Sequence, residues 1–476
     1  MGRWPASWPS NVYFIGIGGV AMSAMAVLLS SRGARVRGSD RAVYPPASDA
    51  LAAAGIAVAT PFDGSHLDPA PELVVVGNAI SRGNPELELA LDRGMPLCSM
   101  AELIERLLVP GRRVSVVAGT HGKTTTASML AALHDAAGRE PSFVIGGLPG
   151  NFASGARLAG GDDLIVEGDE YDTAFFDKGP KFLHYWPRIA VLGGVEFDHA
   201  DIYRDLAAVE RAFALFVRLV PASGTLVVDG EDEIARRLSE NAPARVVRVG
   251  LEEKLDLSVR ERRDDAGGQR FVVLDRGRPV AEAQLALPGP HNAKNALAAL
   301  AAARAAGLAL ETAVPLLSRF RPPRRRLELV TARDGVIVYD DFAHHPTAIA
   351  HTLATLRAQV PTGGRLIACV EPRSNTMVRS LIASRLERAL AGADRVFIGP
   401  VDRPERFSVE QRLDVAALAA RLRERGTDAH GPCEPAEILA RLLAERLAGD
   451  RIVLMSNGGF GGLAASLRER LGGSAS

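Results

Sequence analysis

The sequence predicts an α/β protein assembled from doubly wound, mostly parallel sheets. Short β-branched apolar runs alternate with Ala/Leu-rich stretches of helical spacing along the whole chain. The runs lack a polar face, as strands buried on both sides of a parallel sheet do. The helical stretches close on glycine, a residue suited to a helix carboxyl end. At 476 residues the chain is too long for one ordinary domain and suits about three.

The strand candidates are VYFIGIGG (12–19), ELVVVGN (72–78), RVSVVAG (113–119), DLIVEGD (163–169), RIAVLGG (188–194) and TLVVDG (225–230). AMSAMAVLLSSRG and TTTASMLAALHDAAG are the clearest helices between them. Two breaks interrupt the alternation, at Val109-Pro110-Gly111 and across Phe320–Arg326, which carries two prolines and four arginines. Proline cannot continue a helix and drives the preceding residue toward extended backbone. Domains are therefore expected over 1–109, 110–326 and 327–476. The stretch 244–288 has alternating patterns and turn residues, and reads as an antiparallel meander inside the middle domain.

Composition narrows the function classes. Lys plus Arg and Asp plus Glu are both 56, so the formal charge is zero, which argues against a polyanion-binding stripe and a nucleic-acid partner. Aromatics are 5%, too few for base-stacking platforms to be expected. Cys98, Cys369 and Cys433 are far apart and odd in number, which fits reduced cytoplasmic thiols. The start, MGRWPASWPSN, lacks a signal-peptide core, and apolar runs are broken before they could span a bilayer. No membrane partner is expected, and no oligomeric state is specified.

The strongest local signal is Gly119-Thr120-His121-Gly122-Lys123-Thr124-Thr125, after the strand RVSVVA and before a helix. Its glycines let backbone N–H groups turn toward phosphate oxygens, and the helix start adds partial positive charge. Lys123 can reach β/γ-phosphates and the Thr124 hydroxyl can sit on Mg²⁺. The loop is shorter than the common G-x-x-x-x-G-K-[ST] form, with Ala118 rather than glycine ahead of Gly119. Glu167, Asp169, Glu170 and Asp172 end one following strand, and Glu196, Asp198 and His199 end the next. Carboxylates and an imidazole at neighbouring strand ends can hold hard cations against phosphate. On spacing alone, a solvated acidic loop fits the first group equally well. In the first domain, Gly16, Gly18 and Gly19 with Asp40 downstream follow a dinucleotide-type turn. A nicotinamide enzyme would leave Lys123 unexplained. A nucleotide substrate at each loop explains both.

These residues carry a family resemblance. GIGGVAMS (16–23), GSD (38–40), AGTHGKTTT (118–126), the DE/EFDH pair, GPHNAKNALAA (289–299) and DDFAHHPT (340–347) resemble, in this order, the Mur ligase superfamily. The resemblance runs from about residue 11 to about 465. It implies a three-domain α/β architecture: a Rossmann-like first domain, a P-loop central ATPase domain and a Rossmann-like third domain. It also implies ATP and Mg²⁺ as cofactors in amide-bond ligation. GNAISRGNPELE (77–88), VIGGLPGNFASGARL (144–158), DEYDTAFFDKGPKFLHYWPR (169–188) and EPRSNTM (371–377) look most like the branch joining the murein tripeptide L-alanyl-γ-D-glutamyl-meso-diaminopimelate to UDP-N-acetylmuramate. The branch that adds L-alanine alone is the alternative.

By this resemblance Gly16, Gly18, Gly19, Asp40, Asn78 and Ser81 hold the UDP-sugar. Lys123, Glu170 and His199 are catalytic, and Thr124, Glu170 and His199 take the metal. The loop Gly119–Thr125, with His291, Asn292 and Asn295, holds ATP. Asp341, extended by His344 and His345, reaches ATP from the third domain, and Arg326 sits in the linker. Some relatives carry a bridging lysine just beyond the D-H motif; here RDLAAVERAFALF (204–216) has none. The implied chemistry is activation of the sugar's carboxylate as an acyl phosphate, then attack by the peptide amine, with the third domain closing about the linker. Arg373, Ser374, Asn375 and Thr376 end a strand at the cleft and are expected to recognise the tripeptide's acidic groups; an inter-domain contact is the competing reading. SNGGFGGL (456–463) reads as a tight turn that needs glycine. A nucleotide-dependent switch without ligation is the reading from another class.

Overall fold

The computed structural model describes residues 8–265 and 267–472. The amino-terminal segment through residue 7, part of the stretch read above as lacking a signal core, lies outside them. Every strand named from the sequence is a strand. Asn11–Ile15 is central in a five-stranded parallel sheet, with Arg35–Ser39 and then Val58–Ala59 on one side and Leu73–Val76 and then Leu97–Ser99 on the other. The strand order reverses at Asn11–Ile15, so the crevice for a ligand opens at its carboxyl end, where Gly16 begins the glycine turn.

The middle sheet has ten strands. Its core is parallel, with Arg113–Ala118 between Ile189–Leu192 and Asp163–Glu167. The register sets Leu192 beside Ala118 and Glu167 beside Val117. Everything that follows those three strands therefore converges on one spot. The stretch 244–288 divides. Arg245–Val249 joins the parallel core against Thr225–Asp229, and only Leu257–Asp265, Gly268–Asp275 and Arg278–Leu285 form the antiparallel meander. Alternation along 245–249 reflects a strand next to last in the parallel run, with one face partly exposed.

The last sheet has six strands, with Glu328–Arg333 antiparallel to Val336–Asp341 and the rest parallel. The three cysteines are free and buried. Among the described residues no helix is long and apolar enough to cross a membrane.

The apolar cores reveal how the parts are joined. One continuous core runs from Phe14 and Leu29 through Leu103 to Val116, Phe182 and Phe213, so the first two sheets are welded together. The last sheet packs on cores of its own. Its link to the middle is the segment Arg319–Leu327. Asn151 holds that segment by bonding Arg319 O (2.9 Å) and accepting from Arg321 N (2.8 Å), and Arg324 N donates to Leu148 O (3.0 Å). Arg325 (φ +60°) and Leu327 (φ +48°) both adopt left-handed backbone, which turns Arg326 toward the cleft.

Phe182 rests on Phe213 and Phe216 with ring centroids at 5.5 and 4.8 Å, all fully buried. Phe213→Ala is expected to remove about 3–5 kcal/mol of stability, read as a lower midpoint of denaturant unfolding. An unchanged midpoint would contradict this aromatic packing.

Candidate active site

The phosphate loop is forced by two glycines. Gly119 has φ +130°, and a Cβ there would lie 2.9 Å from the Gly193 backbone. Gly122 is left-handed (φ +75°) at the N-cap of the helix Lys123–Ala136, and a Cβ would lie 2.4 Å from Asn295 Oδ1. No side chain caps this helix, so its start is left for an anion. Thr120 ties the loop to the neighbouring strand end: its N–H donates to Gly194 O (2.9 Å), and its Oγ1 accepts from Glu196 N (2.9 Å) and donates to Glu196 O (3.2 Å).

Lys123 lies in this loop with Nζ donating to Glu170 Oε2 (2.8 Å), Gly119 O (2.8 Å) and Thr120 O (3.3 Å). Burial would lower its pKa, but Glu170 and Asp169 outweigh burial and raise it. Glu170 is buried, and its Oε1 has no hydrogen-bond partner while His199 Nε2 stands 3.3 Å away. His199 is held at φ +53°, an uncommon backbone for a non-glycine residue. Burial would lower its pKa; Glu170 and Asp198 reverse that. Asp169, Glu170 and His199 place one ligand atom each within 4.8 Å of one another. The Thr124 hydroxyl donates instead to Glu167 Oε1 (2.7 Å), and burial raises the Glu167 pKa. An orphaned carboxylate oxygen, an imidazole and nearby hydroxyl and carboxylate oxygens suit a hard divalent cation.

Two cavities meet at Lys123. The first, about 310 Å³, runs from His121, Lys123 and Thr125 to His291, Asn292 and Asn295, with Arg326 and Asp341 on its far side. The second, about 320 Å³, lies between Ala21 and Met100 of the first unit and Glu167, Asp169, Lys181, Tyr185 and His199 of the middle one. His121, Gly122, Lys123 and Arg326 line both. The guanidinium of Arg326 lies 5.2 Å over the Phe342 ring. His291 Nδ1 is buried without a partner, its ring stacks on His351 of the third unit (5.0 Å), and burial pushes its pKa down to about 3. Asn292 and Asn295 are joined at 3.2 Å.

Other expected residues already have partners. Asp341 accepts from Leu327 N (2.8 Å), Ala343 N (2.9 Å) and Thr352 Oγ1 (3.3 Å), so its carboxylate braces the linker. Asp40 accepts from Gly18 N (2.8 Å) and Arg41 N (2.7 Å), which holds the glycine turn that Gly16 and Gly19 complete. Asn78 and Ser81 are exposed on the next turn of the same sheet edge. Thr376 Oγ1 donates to Asp198 (2.5 Å), Asn375 to Asp201 (2.8 Å) and Ser374 to His344 O (3.2 Å). Two of the four residues assigned to the peptide, Asn375 and Thr376, thus sit in inter-unit contacts; Ser374 bonds within the third unit, and Arg373 packs over Gly458 with Glu371 3.8 Å away.

The same face holds Arg385, Thr347 and Lys294, which sequence reasoning passed over. Glu196 receives Arg385 and Thr347 Oγ1 (2.8 and 2.9 Å) from the third unit, with His121 Nε2 at 3.7 Å and His345 Nδ1 at 3.9 Å. Burial raises its pKa, but His121, Thr347 and His345 outweigh burial and hold the carboxyl far below its usual range. Lys294, inside GPHNAKN, pairs with Asp229 (2.7 Å) and Glu231 (3.2 Å) beside the first cavity. The motif could have pointed to Lys294; nothing local marks Arg385.

Sequence models of three segments match along the chain: the Mur ligase family catalytic domain at 11–110, the Mur ligase middle domain at 117–303 and the Mur ligase glutamate ligase domain at 325–458. The chain belongs to the Mur ligase family. Membership makes it an ATP-dependent amide-bond ligase. It is 40% identical over 463 residues to the UDP-N-acetylmuramate–L-alanyl-γ-D-glutamyl-meso-2,6-diaminoheptandioate ligase of Escherichia coli (strain K12), covering 97% of this chain and 98% of that one. To the UDP-N-acetylmuramate–L-alanine ligase of Salinispora arenicola (strain CNS-205) it is 37% identical over 390 residues, 81% of this chain and 74% of that one. The crystal structure of a murein peptide ligase from Psychrobacter arcticus 273-4 superposes with a TM-score of 0.74 at 32% identity, covering 98% and 99% of the two chains.

In this ligase Gly122→Ala puts a methyl against Asn295. It is expected to raise the ATP Kd at least tenfold with a nearly unchanged unfolding midpoint. Normal nucleotide affinity by calorimetry would contradict the close approach.

Proposed function

We propose that the chain ligates the tripeptide L-alanyl-γ-D-glutamyl-meso-diaminopimelate to UDP-N-acetylmuramate, with ATP hydrolysed to ADP and phosphate. The observation that carries this reading is the 40% identity, over nearly the full length of both chains, to a ligase named for those substrates. The reaction belongs to peptidoglycan recycling and is placed in the cytoplasm, where free thiols such as Cys98 stay reduced. The working units are 1–109 for the UDP-sugar, 110–326 for ATP and 327–476 for the peptide side and closure.

The two cavities suit the two nucleotides. The first takes ATP, with its adenine end toward His291, Asn292 and Asn295 and its phosphates at the loop. The second takes the sugar's lactyl carboxylate. They meet at Lys123, so the γ-phosphate and the carboxylate meet there too. Lys123 exchanges its contacts to Glu170 and the loop carbonyls for phosphate oxygens. The loop amides and Arg326 share the charge of the transferring phosphoryl group. Mg²⁺, when held by Thr124, Glu170 and His199, neutralises phosphate charge so that a carboxylate can approach. A carboxylate oxygen bonds to the γ-phosphorus as the bond to ADP breaks, giving an acyl phosphate. The unprotonated amine of the peptide's L-alanine then bonds to the acyl carbon, and phosphate leaves as the tetrahedral intermediate collapses to the amide. Arg373 faces the peptide's carboxylates.

The L-alanine ligase reading predicts a different acceptor. With UDP-N-acetylmuramate and ATP, the tripeptide is expected to release phosphate at least a hundredfold more efficiently than L-alanine. The reverse preference would overturn the assignment. Lys123→Ala is expected to lower kcat a hundredfold or more, the size typical of losing one preorganised charge contact; a fall below tenfold would contradict its role.

A further inference from the structure

The motif around His184 is absorbed by neither the phosphate loop nor the metal ligands. His184 ends the short helical turn Lys181–His184. Its Nδ1 lies 2.9 Å from Glu105 Oε2, and its Nε2 lies 2.7 Å from Asp177 Oδ2. Glu105 belongs to the helix Met100–Leu107 of the first unit; Asp177 begins one strand of the hairpin Asp172–Pro180 of the middle unit. Trp186 adds its indole N–H to Glu105 Oε1 at 2.8 Å. One ring therefore adds a charged tie between two elements that the apolar core also joins through Leu103 and Phe182.

The same two elements wall the second cavity. Met100 starts the helix that carries Glu105, and Lys181 and Tyr185 bracket His184 in sequence; all three line that cavity. We propose that His184 is a positioning residue for the sugar-nucleotide half of the site, its two carboxylate bonds fixing Met100 against Lys181 and Tyr185. This rests on the reading of the second cavity as the seat of UDP-N-acetylmuramate.

The chemistry gives the tie a pH dependence. Carboxylates only accept, so both ring nitrogens must donate, and only the imidazolium does so. The charged groups facing His184 are Glu105 from the first-unit helix and Asp177 from the hairpin. The helix Leu206–Leu219 meets this turn through Phe213 and Phe216 against Phe182, which carry no charge. Lys181, on the same turn, is paired with Asp169. Burial would lower the His184 pKa, but Glu105 and Asp177 outweigh it and raise it. The tie is thus whole below the ordinary histidine value of about 6.5, and is lost as pH rises through the raised value.

The test is the Kd of UDP-N-acetylmuramate, measured by calorimetry on the full chain with a non-hydrolysable ATP analogue, from about pH 6 to about pH 9.5. Wild type is expected to weaken about tenfold toward the alkaline end, the effect of one charge-assisted bond, while the analogue's own Kd stays flat. His184→Gln is expected to hold the weak Kd at every pH, and Glu105→Gln to behave likewise. His184→Arg, always charged, is expected to keep the tight Kd at every pH. Trp186 fluorescence in the free protein should titrate with the same midpoint, and not in His184→Arg. A wild-type Kd independent of pH, or His184→Gln weakening both nucleotides equally, would overturn the role of His184 and leave the ligase reading standing. No binding of UDP-N-acetylmuramate by wild type at any pH would overturn both.

Discussion

The site turns on a carboxylate that cannot stay buried alone. Glu170 is 1% exposed, and an unpaired charge at that depth would cost several kcal/mol. Lys123 supplies the compensation on one side and His199 approaches on the other. Each partner comes from a different strand end, and the parallel register of 113–118, 163–167 and 189–192 brings the three ends together. That arrangement also keeps Lys123 charged while nothing else neutralises it. A phosphate arriving at the loop competes for Lys123 and leaves Glu170 with an open valence, which a cation can fill. On the proposed roles of Lys123 and Glu170, that exchange would couple nucleotide and metal binding.

The way the units are joined says which of them can move. The first and middle sheets share one apolar core, and separating them would expose it. The third unit meets the middle one through polar contacts: Arg385 and Thr347 on Glu196, Thr376 on Asp198, Asn375 on Asp201. Water can replace such contacts at little net change in free energy. The linker between them holds two residues in left-handed backbone around Arg326, which lines both cavities. Those contacts reach the phosphate loop, because Glu196 also touches Thr120 and His121.

Much of this was legible from the residues. Period and glycine placement predict the strands and helices, since a strand buried on both faces has no polar side to disguise it. The loop Gly119–Thr125 and the acidic strand ends are local patterns with local causes. What resisted was everything set by distance in the chain. Thr376 and Asn375 read equally as peptide ligands or as an inter-domain contact, and only the fold gives them partners about 175 residues earlier. Asp341 reads as a nucleotide contact; it lines the first cavity, and its carboxylate also braces backbone that folds against it. Arg385 carries no motif, and His184 looks like any histidine until a helix from another unit brings Glu105 to it.

We propose that Lys123 sits where a carboxylate is phosphorylated. The direct measurement uses UDP-N-acetylmuramate carrying ¹⁸O at both oxygens of its lactyl carboxylate, with ATP and the tripeptide, and mass analysis of the phosphate released. An acyl phosphate predicts one ¹⁸O in each phosphate formed, because the oxygen that bonded to phosphorus leaves with it. Phosphate free of ¹⁸O alongside amide product would rule out the acyl phosphate.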